Sequence, residues 1–149
     1  MDEENKSIVV ASFPKSEREA ICVGTSEYKG KHLVFIRAYV PALSGELIPT
    51  PKGISLAVEK CSELVAGVRA LKEAGSAEKE VARIKKNEKE EIRIEVSIFK
   101  DMPLIQIRTY ALYGENTEFK ATQKGVAMNV NLLPQLLEAI EKLSAAAGI

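Results

Sequence analysis

The sequence predicts an α+β protein made of two tandem β-β-β-β-α units. Two observations predict it. Segments with a period-two apolar pattern lead into segments with an apolar stripe at helical spacing, which marks strands followed by an amphipathic helix. The whole pattern then occurs twice, at an offset of 71 to 72 residues.

The strands come first in each unit. In His32–Val40 the set Leu33, Phe35, Arg37 and Tyr39 faces one way and Val34, Ile36, Ala38 and Val40 the other. The second copy repeats this with Leu104, Gln106, Arg108 and Tyr110 against Ile105, Ile107, Thr109 and Ala111. A strand with one apolar face and one mixed face covers a helix on one side and meets solvent or ligand on the other. With its flanks, the first copy reads as strands near 20–27, 33–40, 46–49 and 52–57 and a helix over about 58–72. The second reads as strands near 91–98, 104–111, 117–121 and 124–129 and a helix over about 131–145. Cys61, Leu64, Val65, Val68 and Leu71 fall opposite Leu133, Leu136, Leu137, Ile140 and Leu143, so both helices carry the same i, i+3, i+4, i+7 stripe.

The remaining segments set the domain organisation. Residues 1–19 form an N-terminal arm or extra strand around Ser7–Phe13, residues 20–72 the first repeat, residues 73–90 a charged linker and residues 91–149 the second repeat. Glu78, Lys79, Glu80, Arg83, Lys85, Lys86, Glu88, Lys89 and Glu90 make the linker read as a solvated, partly helical tether. Fully extended, it would reach about 60 Å, enough for the copies to dock on each other.

Composition narrows the function class. An apolar fraction of 46% and a charged fraction of 28% suit a folded, soluble protein. No apolar run approaches the length of a membrane span, and the start Met1–Asn5 is acidic, unlike a targeting peptide, so an intracellular protein without a membrane partner is expected. That means cytoplasm or nucleoid in a prokaryote, nucleus in a eukaryote. Cys22 and Cys61 are too few and too isolated for a disulfide framework or a zinc site, and reduced buried thiols are expected. Neither a metal nor a cofactor is called for. One histidine, His32, and no nucleophile elbow, Walker loop or HExxH leave no catalytic constellation, so the protein is not expected to be an enzyme. With 21 basic and 21 acidic residues the net charge is zero, so any attraction for nucleic acid must come from a local patch.

The motifs that would make such a patch are Tyr28-Lys29-Gly30-Lys31, Arg37-Ala38-Tyr39, Gly45-Glu46-Leu47, Pro49 and Lys52-Gly53-Ile54-Ser55-Leu56. Over residues 20–72 they resemble the single-stranded-DNA-binding domain of the transcriptional positive cofactor four family. The second copy, 91–145, keeps Phe99-Lys100, Arg108, Tyr110, Gly114-Glu115 and Lys124-Gly125 but has Asp101-Met102 where the first has Gly30-Lys31. The resemblance implies a curved four-stranded sheet backed by a helix, two such units pairing around unpaired DNA strands. Here the pair would be an intramolecular pseudo-dimer, with a homodimer of chains as the alternative.

It also implies roles. Tyr28 and Phe99 would stack on bases. Lys29, Lys31, Arg37 and Lys52, with Lys100, Arg108 and Lys124, would face phosphates or base edges. Lys120 lies near another family lysine, which the first copy replaces with Ile48. The family's aromatic after Arg-x-Tyr is replaced by Val40 and Ala111, which removes two stacking platforms. The implied function is sequence-nonspecific single-stranded DNA binding in transcription regulation or DNA metabolism, with transcription or replication proteins as further partners. Single-stranded RNA and melted duplex are alternative ligands, and a protein-interaction scaffold with a degenerate surface is the alternative function.

Residue by residue, plainer readings stand beside these. Arg37 would pair with a neighbouring glutamate, Tyr39 and Tyr110 would pack, and Lys52-Gly53 and Lys124-Gly125 would be turns whose glycine serves a special backbone angle. A first half that binds more tightly than the second is expected from Asp101-Met102.

Overall fold

The computed structural model describes residues 6–115 and 117–148. Strands β1 (Lys6–Pro14), β2 (Ala20–Tyr28), β3 (Lys31–Pro41) and β4 (Leu47–Ala57) pair in that order as an antiparallel meander. Helix α1 (Cys61–Ala74) follows, after a 3₁₀ turn at Val58–Lys60. The second unit repeats the order with β5 (Lys79–Asn87), β6 (Glu90–Phe99), β7 (Met102–Ala111), β8 (Lys120–Asn129), a 3₁₀ turn at Val130–Leu132 and α2 (Leu133–Ala146). Each unit is thus four antiparallel strands followed by a helix, as the pattern predicts.

Which segments supply the four strands differs from the expectation. The segment read as a linker carries β5, the edge strand of the second sheet. Its inward positions Ala82, Ile84 and Lys86 alternate with outward Arg83 and Lys85, so the charges occupy one face of a strand. Gly75, at φ 59°, ends α1 and its N–H donates to the Leu71 carbonyl, leaving only a short connection before β5. The N-terminal segment is likewise a strand, β1, at the edge of the first sheet. Residues 1–5 of the arm lie outside the described residues.

The two short strands expected at 46–49 and 52–57 are one strand, β4, interrupted by a bulge. Gly53 lies opposite Arg37 and Pro49 opposite Tyr39, so Thr50, Pro51 and Lys52 span the single residue Ala38. Pro51 fits there because a bulged residue owes no ladder hydrogen bond. The second unit repeats the bulge, with Gly125 opposite Arg108 and Ala121 opposite Tyr110. Residues 117–119, expected as strand, precede β8 as loop.

One core serves both units. Ile21, Ile36, Leu64 and Leu71 of the first and Ile92, Ile107, Leu136 and Leu143 of the second belong to the same buried cluster. The sheet neighbours of α1 are β5 and β6, and those of α2 are β1 and β2, while α1 packs on α2 and β4 on β8. Each sheet is therefore backed by the helix of the other unit, which makes the pseudo-dimer a feature of the fold. Cys22 and Cys61 are free and buried, and burial pushes both thiols upward, away from reactivity.

The duplicated core carries a polar mismatch. Thr109, at the repeat position of Ala38, is buried with its hydroxyl lacking a hydrogen-bond partner. Leaving a buried donor unmade costs about 1–3 kcal/mol, so Thr109→Val is expected to match or exceed the native chain in stability, by up to about 1–2 kcal/mol. Urea denaturation checks this, and a drop in midpoint would show that the hydroxyl is satisfied.

Candidate nucleic-acid interface

The β2–β3 and β6–β7 hairpins are two-residue turns with both central residues at positive φ: Lys29 (54°) and Gly30 (79°), then Lys100 (52°) and Asp101 (66°). This is the turn whose twist matches a hairpin. Asp101 substitutes for Gly30 because aspartate tolerates the left-handed region better than most side chains. The turn holds Tyr28 opposite Lys31 and Phe99 opposite Met102. Both rings stand out from the surface, Tyr28 43% and Phe99 57% exposed. Lys29 Nζ lies 5.3 Å from the Tyr28 ring centroid and Lys100 Nζ 5.4 Å from that of Phe99. Each hairpin tip therefore presents an aromatic face with an ammonium beside it.

The arginines are set by the bulges. Arg37 Nη1 donates to the Thr50 carbonyl at 3.0 Å, Thr50 Oγ1 donates to the Ala38 carbonyl at 2.8 Å, and the Lys52 N–H donates to Thr50 Oγ1 at 3.2 Å. Arg108, Thr122, Thr109 and Lys124 make the same three bonds at 3.0, 2.8 and 3.1 Å. The glycines next to the lysines belong to this arrangement. A Cβ on Gly53 would sit 2.8 Å from Arg37 Cα, and one on Gly125 2.8 Å from Arg108 Cα. Close approach of the arginine strand, and not a left-handed backbone angle, requires glycine there. Among the described residues Arg37 pairs with no glutamate: its acceptor is the bulge carbonyl, which holds the guanidinium across the sheet face.

The two units complete each other's sites. A cleft of about 610 Å³ is lined by Lys15, Val40 and Lys52 of the first unit and Arg108 and Gln123 of the second. At the reciprocal position, Lys86 is half-buried on β5. Burial is the main force lowering its ammonium pKa; Glu90 opposes this, and Lys124 and Arg37 lower it further. Arg37 of one unit thus shares a patch with Lys86 and Lys124 of the other. Lys15 and Lys86 are 71 residues apart, the repeat offset, and each has an acid of the repeat beside it, Glu19 and Glu90. Sequence reasoning read Lys15 as part of the arm and Lys86 as one of several linker cations that could add weak nonspecific attraction, and placed neither in the site. Their shared offset was the available signal.

Lys31 and Lys120 are exposed at strand starts, Lys120 with its Nζ 3.6 Å from Glu118 Oε1. Tyr39 packs, as expected, in a small buried cluster with Cys22 and Phe35.

The outer sheet faces differ more than Asp101-Met102 alone suggests. On the first, Gly24 lets Phe35 lie close to the sheet, since a Cβ there would meet Phe35 Cζ at 2.8 Å. A cleft of about 360 Å³ opens beside it, lined by Ser26, Phe35, Arg37, Tyr39, Pro51 and Ser55. The second unit has Arg93, Glu95 and Gln106 at the positions of Cys22, Gly24 and Phe35. There Arg93 lies 4.0 Å from the Tyr110 ring centroid and 2.6 Å from Glu91 Oε2, and Arg108 also donates Nη2 to Gln106 Oε1 at 2.8 Å. On that face both guanidiniums already have side-chain acceptors.

The family model described as transcriptional coactivator p15 (PC4) matches residues 14–67 and again 86–139. The chain belongs to this family. The two PC4 matches end at equivalent points of the repeat, Gly67 and Ala139, and begin within one residue of equivalent points. Among solved structures, a PC4 homolog from Burkholderia pseudomallei K96243 is 26% identical in its orthorhombic form, with a TM-score of 0.44 over 47% of this chain and 95% of that one. Its tetragonal form gives 20%, 0.39, 44% and 94%. A bacteriophage T5 homolog of the eukaryotic coactivator PC4, implicated in recombination-dependent DNA replication, is 27% identical, with a TM-score of 0.36 over 48% of this chain and 81% of that one. A search of curated proteins returns no match.

Proposed function

We propose that this tandem PC4 chain binds single-stranded DNA without reading its sequence and serves transcription or DNA replication and repair. The observation that carries the proposal is the duplicated arrangement of exposed aromatic, adjacent ammonium and sheet-mounted guanidinium. It runs from each hairpin tip toward the junction of the units. Stacking on Tyr28 and Phe99 suits any base, because every base has a flat face, and Lys29, Lys31, Lys52, Lys100, Lys120 and Lys124 with Arg37 and Arg108 supply the cations that track phosphates. Neutral overall charge is compatible with this, since the basic groups gather at the junction while many acids are paired elsewhere, as in Glu63 with Lys60 and Glu88 with Lys85. The first unit, with its open outer face and Lys31, is the stronger half.

Fluorescence anisotropy with a labelled oligothymidylate, at two salt concentrations and against duplex of equal length, tests this reading. Single strand is expected to bind more tightly than duplex, and affinity to fall as salt rises because released counterions are then less favourable. Equal binding of duplex, or salt-independent binding, would contradict it. An RNA competitor of the same sequence that displaces the DNA at lower concentration would reassign the ligand to RNA.

A further inference from the structure

Arg69 and Glu141 are 72 residues apart, the offset that relates α1 to α2, so they occupy one position of the repeat. They also touch. Arg69 Nε donates to Glu141 Oε2 and Nη2 to Oε1, both at 2.7 Å, a bidentate pair across the two helices. Two equivalent positions meet only beside the local two-fold axis that relates the units, as in any isologous interface. A pair of identical units would therefore set arginine against arginine, or glutamate against glutamate.

A second, steric observation points the same way. Gly67 of α1 faces the second sheet so closely that a Cβ would lie 2.7 Å from Ile94 Cδ1 and 3.0 Å from Ala82 Cβ. The equivalent residues of the other half are Ala139, Val23 and Ala11, and all belong to or pack against the common core. Where the sheet residue is larger the helix carries glycine, and where it is smaller the helix carries alanine. Two first units paired together would leave Gly67 over Val23 with a gap. Two second units would press Ala139 against Ile94.

We propose that this helix pair is a pairing code, by charge at 69/141 and by volume at 67/94 and 139/23, that makes each unit fit the other unit of its chain better than a copy of itself. The partner this surface accepts is the unlike half, and the partner it rejects is the like half of a second chain. Each composite patch, Arg37 with Lys86 and Lys124 or Arg108 with Lys15 and Lys52, is then built from unlike units. This inference stands independently of the ligand.

Two double-substitution cycles in the full chain test it, read by thermal melting at low salt together with the mass in solution. Glu141→Arg and Arg69→Glu are each expected to lower Tm by about 2–4 °C, and the combined swap to restore most of that loss. Gly67→Ala is expected to lower Tm in the native chain but to raise it in the Ile94→Val background, where the clash is relieved and the helix gains from alanine. The native chain is expected to be a monomer at all concentrations. A combined charge swap no better than the sum of its singles, a Gly67→Ala effect of the same sign in both backgrounds, or a native chain that dimerises would overturn the proposal.

Discussion

Replacing both Tyr28 and Phe99 with alanine is expected to weaken binding of a single-stranded oligonucleotide at least about thirty-fold. Each ring loses base stacking worth about 1–3 kcal/mol, and tenfold in affinity is about 1.4 kcal/mol. The rings stand exposed at hairpin tips, so folding should tolerate their removal and the melting temperature should stay close to native. The two positions should not contribute equally. Tyr28→Ala is expected to cost more than Phe99→Ala, because Lys31 and the open cleft beside Arg37 support the first unit, whereas on the second Arg93 is engaged by Glu91 and Arg108 by Gln106. By the same reasoning Lys31→Ala weakens binding more than Met102→Ala. Anisotropy titration of the double variant and the four single variants checks these expectations, and equal effects in the two halves would remove the asymmetry.

Gly53→Ala is expected to be the most damaging single substitution at the interface, in stability and in binding together. The new methyl would meet Arg37 Cα, Cβ and Cγ at 2.8 Å, and backbone at that distance does not step aside without distorting the bulge. Overpacking of this kind costs about 1–3 kcal/mol, and the distortion reaches the Thr50 carbonyl that holds the guanidinium and the Thr50 hydroxyl that fixes the Lys52 N–H. A loss of several degrees in Tm, with weaker binding measured where the protein is still folded, is the expected outcome. Gly125→Ala should lose similar stability through Arg108 but less binding. Unchanged melting in Gly53→Ala would show that the strands do not approach as closely as the fold requires.

The sequence disclosed the unit and its duplication because both rest on side-chain periodicity. Leu33 to Val40 alternates, Leu64 to Leu71 recurs at helical spacing, and both patterns return one repeat later. The exchange of helices was invisible to the same reasoning, since a stripe such as Leu64, Val68 and Leu71 looks identical whichever sheet it covers. The edge strands were obscured for another reason. On β5, Arg83 and Lys85 face solvent between Ala82, Ile84 and Lys86, and an edge strand with so many charges reads as a tether. Pro49 and Pro51 concealed the continuity of β4, because a proline forbidden in a central ladder is tolerated on an edge strand, as Pro49 is, or in a bulge, as Pro51 is.

The site was legible where chemistry is local and illegible where it is shared. Tyr28-Lys29-Gly30-Lys31 carries its own turn geometry, so the exposed ring and adjacent ammonium follow from the motif. The roles of Gly53 and Gly125 do not, because the reason for glycine is an arginine on the neighbouring strand. Lys15 and Lys86 reach their patches only through the docking of one unit on the other, a relation no single motif contains.

The proposed path of single-stranded DNA runs along these tips and across the junction of the units. Amide chemical-shift mapping of the full chain, titrated with oligothymidylate, tests it most directly. The predicted result is perturbation concentrated at Tyr28 to Lys31, Arg37, Lys52, Lys86 and Lys124, with a weaker counterpart at Phe99, Lys100, Arg108 and Lys15. Shifts confined to the helix surfaces around Arg69 and Glu141, or absent at the hairpin tips, would contradict it.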